Sequence, residues 1–154
     1  MPTLHLLAAH PSTPSTLLVK LSQHRDEEVR WGAAANRNTP VNVLLQMRTV
    51  DRYSTLNEYL ARNPAVPQEV LREMLRRKEA ALSSVAMNPA CPIDVMHRIA
   101  DHGTDMEKYW LAGNPGLTAE IAAKLERDPS PNVALMLEGN PAYRKWASSR
   151  EKRP

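Results

Sequence analysis

Four side chains near residue 100 have the types and spacing to do chemistry. Asp94, His97 and Asp101 recur at i, i+3 and i+7, with His102 beside them, so three of the four share one face of a helix. Carboxylates and imidazoles in that pattern can present ligands to a metal ion. Well-defined zinc sites gather ligands from more than one element, however, and this face is also the polar side of its helix. A solvated face is the plainer reading, and no metal or cofactor is expected. Cys91 precedes Pro92 at the start of the same helix, where a thiol pKa can be depressed. His97 is six residues away and no third group completes a nucleophile. Ala and Val occupy the equivalent positions elsewhere in the chain, which favours a small space-filling role. No Gly-rich phosphate loop, GxSxG or HExxH occurs. A non-catalytic protein is expected.

The basic residues form a second pattern. The net charge is only +3, but it is unevenly spread. Residues 62–78 hold five basic and two acidic side chains, and 144–153 hold five basic and one acidic. Lys20, Arg98 and Lys124 fall in one register on the polar side of successive helical segments, interrupted by Gln46 and Glu73. Arg72, Arg76 and Arg127 lie near that register. Trp31 and Tyr109 share another. Arginine next to exposed aromatics suits single-stranded nucleic acid, phosphates pairing with the cations and bases stacking on the rings. The alternative is that the cations keep helix faces soluble while the rings pack between segments.

A third pattern runs the length of the chain. Asn36, Asn63, Asn88, Asn114 and Asn140 are spaced by 25 to 27 residues, and His10 begins the series. Such a column could line a ligand groove. The stronger reading is structural, because an Asn amide binds carbonyls freed at a helix end and tolerates turn geometry. Stacked repeats would then carry a ladder of these bonds. Asn57 lies outside the column and reads as a surface residue.

The elements that must position these residues follow from the same period. Most anchors are Asn-Pro, as in NPAVPQEVLREML and NPACPIDVMHRIA. A further Pro follows at Pro14, Pro40, Pro67 and Pro92, with Thr118 and Arg144 in that place later. About seven residues after each anchor stand Leu17, Val43, Val70, Val95 and Ile121. Four further on stand Leu21, Met47, Met74, Ile99 and Leu125. An i, i+4 apolar pair marks one helix face. Just before each anchor, Leu7, Ala33, Leu60, Val85, Leu111 and Leu137 precede small residues at Ala8, Ala34, Ala61, Ala86 and Ala112. Each unit therefore contains two helical pieces. The first begins near the second Pro, placed at a first helical position, with Thr13 and Thr39 where an N-cap belongs. The second begins at Asp26, Ser54, Thr104 or Ser130, Thr104 and Glu107 forming a capping box. The anchor Pro then ends it, since the residue before Pro is pushed out of the helical region. A unit of this size cannot bury its apolar face alone, whereas stacked units can.

The pattern N-P-x-x-P-x-x-[VL]-[LM]-x-x-[LM], with the segment DEEVRWGAAA, resembles the leucine-rich repeat variant proteins of bacteria. The resemblance runs from about Leu6 to Pro141. It implies alternating α- and 3₁₀-helices wound into a right-handed superhelix. HEAT-like repeats are the nearest rival. The founding member of that family also carries a cysteine-rich iron–sulfur segment; this chain has one Cys, so no such cofactor is carried over.

The expectation is an all-α solenoid of about 26-residue repeats over 1–143, followed by a basic cap or frayed tail over 144–154. The composition agrees: no Phe, 13 Pro, 5 Gly and no strictly alternating segment argue for many short helices. No basic n-region, long apolar run or set of paired cysteines is present, which points to a cytoplasmic protein without membrane contact. The expected function is a scaffold that presents a curved surface to a protein or peptide, with RNA or single-stranded nucleic acid as the alternative partner.

Overall fold

Pro recurs so often that no helix can run far, and apolar residues at i, i+4 give each short helix one face to bury. The computed structural model describes residues 4–50 and 55–150, and within them the chain is all-helical with no strand. Ser54 and tail residues 151–154 lie outside the described residues. The helices are α1 (Leu4–Ala9), α2 (Ser15–Leu21), α3 (Glu27–Ala35), α4 (Val41–Val50), α5 (Thr55–Arg62), α6 (Gln68–Arg76), α7 (Leu82–Met87), α8 (Ile93–His102), α9 (Asp105–Ala112), α10 (Ala119–Leu125), α11 (Pro131–Gly139) and α12 (Pro141–Arg150). Among the described residues no helix is long and apolar enough to cross a membrane. Residues 144–150 belong to α12.

The chain divides into two compact units, Met1–Ser84 and Val85–Pro154. In the first, α3 packs between α1 and α5. In the second, α9 packs on α11, α8 on α10, and α12 on α10 and α11. The core of both is aliphatic. Leu21, Met47, Met74, Ile99 and Leu125 are all buried, and so are the five alanines from Ala8 to Ala112 that precede the anchors. An adjacent column that the i, i+4 reading does not single out is buried even more evenly: Leu18, Leu44, Leu71, Met96 and Ala122. Leu17 and Val70, one residue earlier, stay half-exposed.

Four local expectations are corrected. The second Pro is not the first helical residue but the N-cap: Pro14, Pro67 and Pro92 are extended, with ψ of 143°, 148° and 139°. Their carbonyls already accept the first intrahelical bonds, as Pro14 O does from Leu17 N and Leu18 N at 3.0 and 3.1 Å. Pro loses nothing there, because an N-cap N–H has no partner within the helix. Thr118 holds the same position and accepts from Ile121 N through its hydroxyl (3.3 Å). Thr13 and Thr39 therefore do not cap these helices. Thr39 Oγ1 instead donates to Ala33 O (2.6 Å), and Thr13 Oγ1 likewise to Leu7 O, each satisfying a carbonyl at the end of the helix before it. The second pieces, for which the resemblance implies 3₁₀ geometry, are short α-helices of six to nine residues. True caps hold several of them: Asp26 accepts from Glu28 N (3.0 Å), and Thr104 and Glu107 form a reciprocal capping box. Finally, Asn57 is fully buried rather than on the surface.

Helix α6 ends on a left-handed residue. Lys78 has φ 56°, which lets Lys78 N reach Leu75 O (3.1 Å) and Glu79 N reach Met74 O (2.8 Å). That conformation costs a residue with a Cβ about 1–2 kcal/mol, a cost glycine escapes. Lys78→Gly is expected to raise the unfolding free energy by about 1 kcal/mol in a urea titration. An unchanged or lowered midpoint would contradict this geometry.

Candidate functional site

The anchor asparagines are buried and bonded. In the first unit, Asn36 Nδ2 donates to Ala8 O and His10 O (both 2.8 Å), and Asn63 Nδ2 to Ala34 O (2.6 Å) and Asn36 O (3.0 Å). In the second, Asn114 Nδ2 donates to Ala86 O (2.6 Å) and Asn88 O (2.8 Å), and Asn140 Nδ2 to Ala112 O (2.7 Å) and Asn114 O (2.8 Å). Each Oδ1 accepts from the backbone two residues on; for Asn88 this is Ala90 N at 2.8 Å. Every one of the five is at most 3% exposed. The column is held inside the protein and offers no groove.

The metal-like face near residue 100 is turned onto an ammonium. Lys124 Nζ on α10 lies 2.8 and 2.7 Å from the two oxygens of Asp101 and 3.1 Å from His97 Nδ1, while His97 Nε2 stands 3.7 Å from Glu120. The hydrogen bond from Lys124 holds the Asp101 carboxyl below its ordinary range. Among the described residues, no group of three or more His, Cys, Asp or Glu side chains is placed to hold a metal ion. Cys91 is buried.

The basic residues are divided between the two units. Lys20 on α2, Arg76 on α6, Arg98 on α8 and Arg127 after α10 are exposed. Lys124 is committed to Asp101, and Arg72 lies 3.9 Å from Glu69. The register that places Lys124 with Arg98 thus brings it instead to His97 and Asp101. Two further cation–carboxylate groups are partly buried. Arg48 bonds Glu79 (2.8 Å) and Glu73 (3.2 Å), and its hydrogen bond draws Glu73 below its ordinary range. Lys108 Nζ bonds Asp128 Oδ2 at 2.8 Å.

Burial pushes the Asp128 carboxyl up, but Lys108 and the N–H of Ser130 outweigh it and hold it low. A depressed carboxylate adds stability above the value of an unperturbed aspartate, 3.8, and loses it as pH falls below that. Lys108→Met is expected to cost about 1 kcal/mol at pH 6 and less at pH 3, where the carboxylate of the unfolded chain is already protonating. Equal losses at both pH values, read from urea midpoints, would contradict the pairing.

The aromatic residues mark the surface that remains. Trp31 on α3 stacks on Tyr59 of α5, with centroids 6.0 Å apart and planes at 22°. These rings border a cleft of about 350 Å³ with His5, Glu28 and Gly32. In the second unit Tyr109 meets Trp110 edge to face at 4.9 Å and 75°. With Asp105, Met106 and Asn132 they line a cleft of about 420 Å³ on α9 and α11. Met106 is 60% exposed and Leu135, on α11, 69%, the two most exposed of the large apolar side chains described. The sequence reading found Trp31 and Tyr109 but missed Tyr59, Trp110, Met106 and Leu135. The available signal was the next register: Tyr59 and Trp110 each stand four residues before an anchor, one after the position of Trp31 and Tyr109.

No family model, curated protein or solved structure matches this chain.

Proposed function

We propose that this chain is a non-catalytic helical-repeat scaffold that docks a protein or peptide partner. The observation that carries the reading is the apolar face of α9 and α11. Met106 stands exposed in its cleft beside the half-exposed Tyr109 and Trp110, and Leu135 is exposed on α11. Large apolar side chains gathered with aromatics on a surface mark interaction sites. The 26-residue period, the two-helix units and the internal asparagine bonds support a solenoid of the leucine-rich repeat variant type, right-handed and cytoplasmic, within the same proposal.

The alternative, RNA or single-stranded nucleic acid, rests on exposed Lys20, Arg76, Arg98 and Arg127. Against it, Lys124 is already paired with Asp101, and a phosphate would have to displace that carboxylate. Trp31 also stacks on Tyr59, so part of its ring surface is covered by protein rather than offered to a base.

The test has two arms. Random peptides displayed on phage are selected on the full chain and counter-selected on a Met106→Ser/Leu135→Ser variant. In parallel, labelled single-stranded RNA is titrated at several salt concentrations. The proposal expects peptides that prefer the unmodified chain. It expects no nucleic-acid binding with a slope of roughly −3 to −4 in log affinity against log salt, the signature of four to six phosphate contacts. That slope, together with no enriched peptide, would reverse the assignment.

A further inference from the structure

The α9–α11 cleft is apolar, but the charged side chain that lines it is a carboxylate. Asp105 is exposed at the first position of α9. Lys108, the cation three residues on, is bound to Asp128 instead (2.8 Å). Asp105 therefore faces solvent beside two aromatic rings set nearly at right angles. An aromatic ring attracts a cation over its face, and arginine adds a planar fork that pairs with a carboxylate while its guanidinium stacks. The same three-part arrangement occurs within this molecule. The Arg150 guanidinium carbon sits 4.7 Å from the centre of the Trp146 ring, and its Nη1 donates to Glu126 Oε2 at 2.8 Å. The cleft on α9 supplies the ring and the carboxylate and lacks the arginine. The Trp31–Tyr59 cleft is a poorer match: its rings lie nearly parallel, and its carboxylate, Glu28, already has His5 at 3.6 Å.

We propose that the α9–α11 cleft recognises an arginine side chain of the partner peptide, the guanidinium lying against Trp110 or Tyr109 and pairing with Asp105, while a neighbouring aliphatic residue of that peptide covers Met106 and Leu135. This inference rests on the peptide-docking reading above and adds the chemistry of the partner.

Peptides enriched from the random library on the full chain are sequenced, and the selection is repeated on Asp105→Asn. The expected result is an arginine next to an aliphatic residue in the first pool and loss of the arginine preference in the second. Fluorescence anisotropy then compares an enriched peptide with the same peptide carrying citrulline, a neutral side chain of nearly the same shape. The citrulline form should bind about tenfold more weakly to the unmodified chain and almost equally to Asp105→Asn. Because citrulline alters only the peptide, this comparison is independent of any effect of Asp105 on folding. Enriched peptides that tolerate citrulline but lose binding on Met106→Ser/Leu135→Ser would overturn the arginine assignment alone. A library that yields no binder would overturn the docking reading itself, and this inference with it.

Discussion

Asn114→Ala is expected to lower the unfolding free energy by about 3 kcal/mol. The side chain is 1% exposed and makes three bonds, from Nδ2 to Ala86 O and Asn88 O and from Gly116 N to Oδ1. Alanine restores none of them. A buried polar group that loses its partner costs about 1–3 kcal/mol, against about 0.5–1.5 for a typical hydrogen bond in net terms. Its bonds also span 26 and 28 positions of sequence, tying the turn after α9 to the end of α7. Asn132→Ala is the matched control: it lies exposed on α11 and should change stability by no more than about 0.5 kcal/mol. Equal effects in a denaturant titration would remove the asparagine bonds from the account of the fold.

Gly32→Leu is expected to cost about 3 kcal/mol, at the top of the usual range for an overpacked site because backbone stands in the way. A Cβ at Gly32 would lie 2.8 Å from His5 O, 2.9 Å from Ala8 Cβ and 3.2 Å from Ala9 N, all on α1. Glycine in mid-helix is otherwise unfavourable by about 1 kcal/mol relative to alanine. Gly32→Ala therefore sets a gain of about 1 kcal/mol from helix propensity against about 1–3 from the clash, and a net loss is expected. Helix α1 has six residues, so the least costly relief is for it to lift off α3. The variant should then lose amide protection in α1 before anywhere else. A stabilised Gly32→Ala would contradict the close approach of α1 and α3.

The parts of this fold legible in the sequence are those set by spacing alone. Asn36 to Asn140 recur every 25 to 27 residues, and Leu21, Met47, Met74, Ile99 and Leu125 hold the same place on successive helices, so helical pieces and a buried side can be read without coordinates. What each asparagine bonds to could not be read, because its acceptors lie 26 to 29 residues back and meet it only once helices stack. The threonines before the second Pro misled for a related reason. Their cap position was visible, but the carbonyl that takes the hydroxyl belongs to the preceding helix. Asn57 misled because it shares a register with Arg30 and Lys108, six residues before an anchor. Those two side chains reach outward to other segments, Arg30 back to His24 O (2.9 Å) and Lys108 forward to Asp128 after α10. A short amide at that position is buried where longer cations reach out.

The candidate site was half legible. Trp31 and Tyr109 could be found as aromatics in register, and the basic residues as charge in register. Register does not say which cation meets a carboxylate. Lys124 and Asp101 are 23 residues apart and pair across two helices, which removes one cation from that register. Nor does it say which apolar residues stay uncovered. Met106 and Leu135 have the composition of core residues, yet both stand exposed.

On the proposed function, a partner docks on the apolar and aromatic face of α9 and α11 rather than on the basic registers. One measurement decides it: the affinity of a selected peptide for three proteins, by fluorescence anisotropy at a single salt concentration. The unmodified chain is compared with Met106→Ser/Leu135→Ser and with Lys20→Gln/Arg98→Gln. All four residues are exposed, so both variants should keep the fold. The account expects at least about tenfold weaker binding to the serine variant, since truncated apolar anchors typically cost more than 1 kcal/mol, and unchanged binding to the glutamine variant. Unchanged binding to the serine variant with loss on the glutamine variant would place the partner on the basic residues and contradict the account.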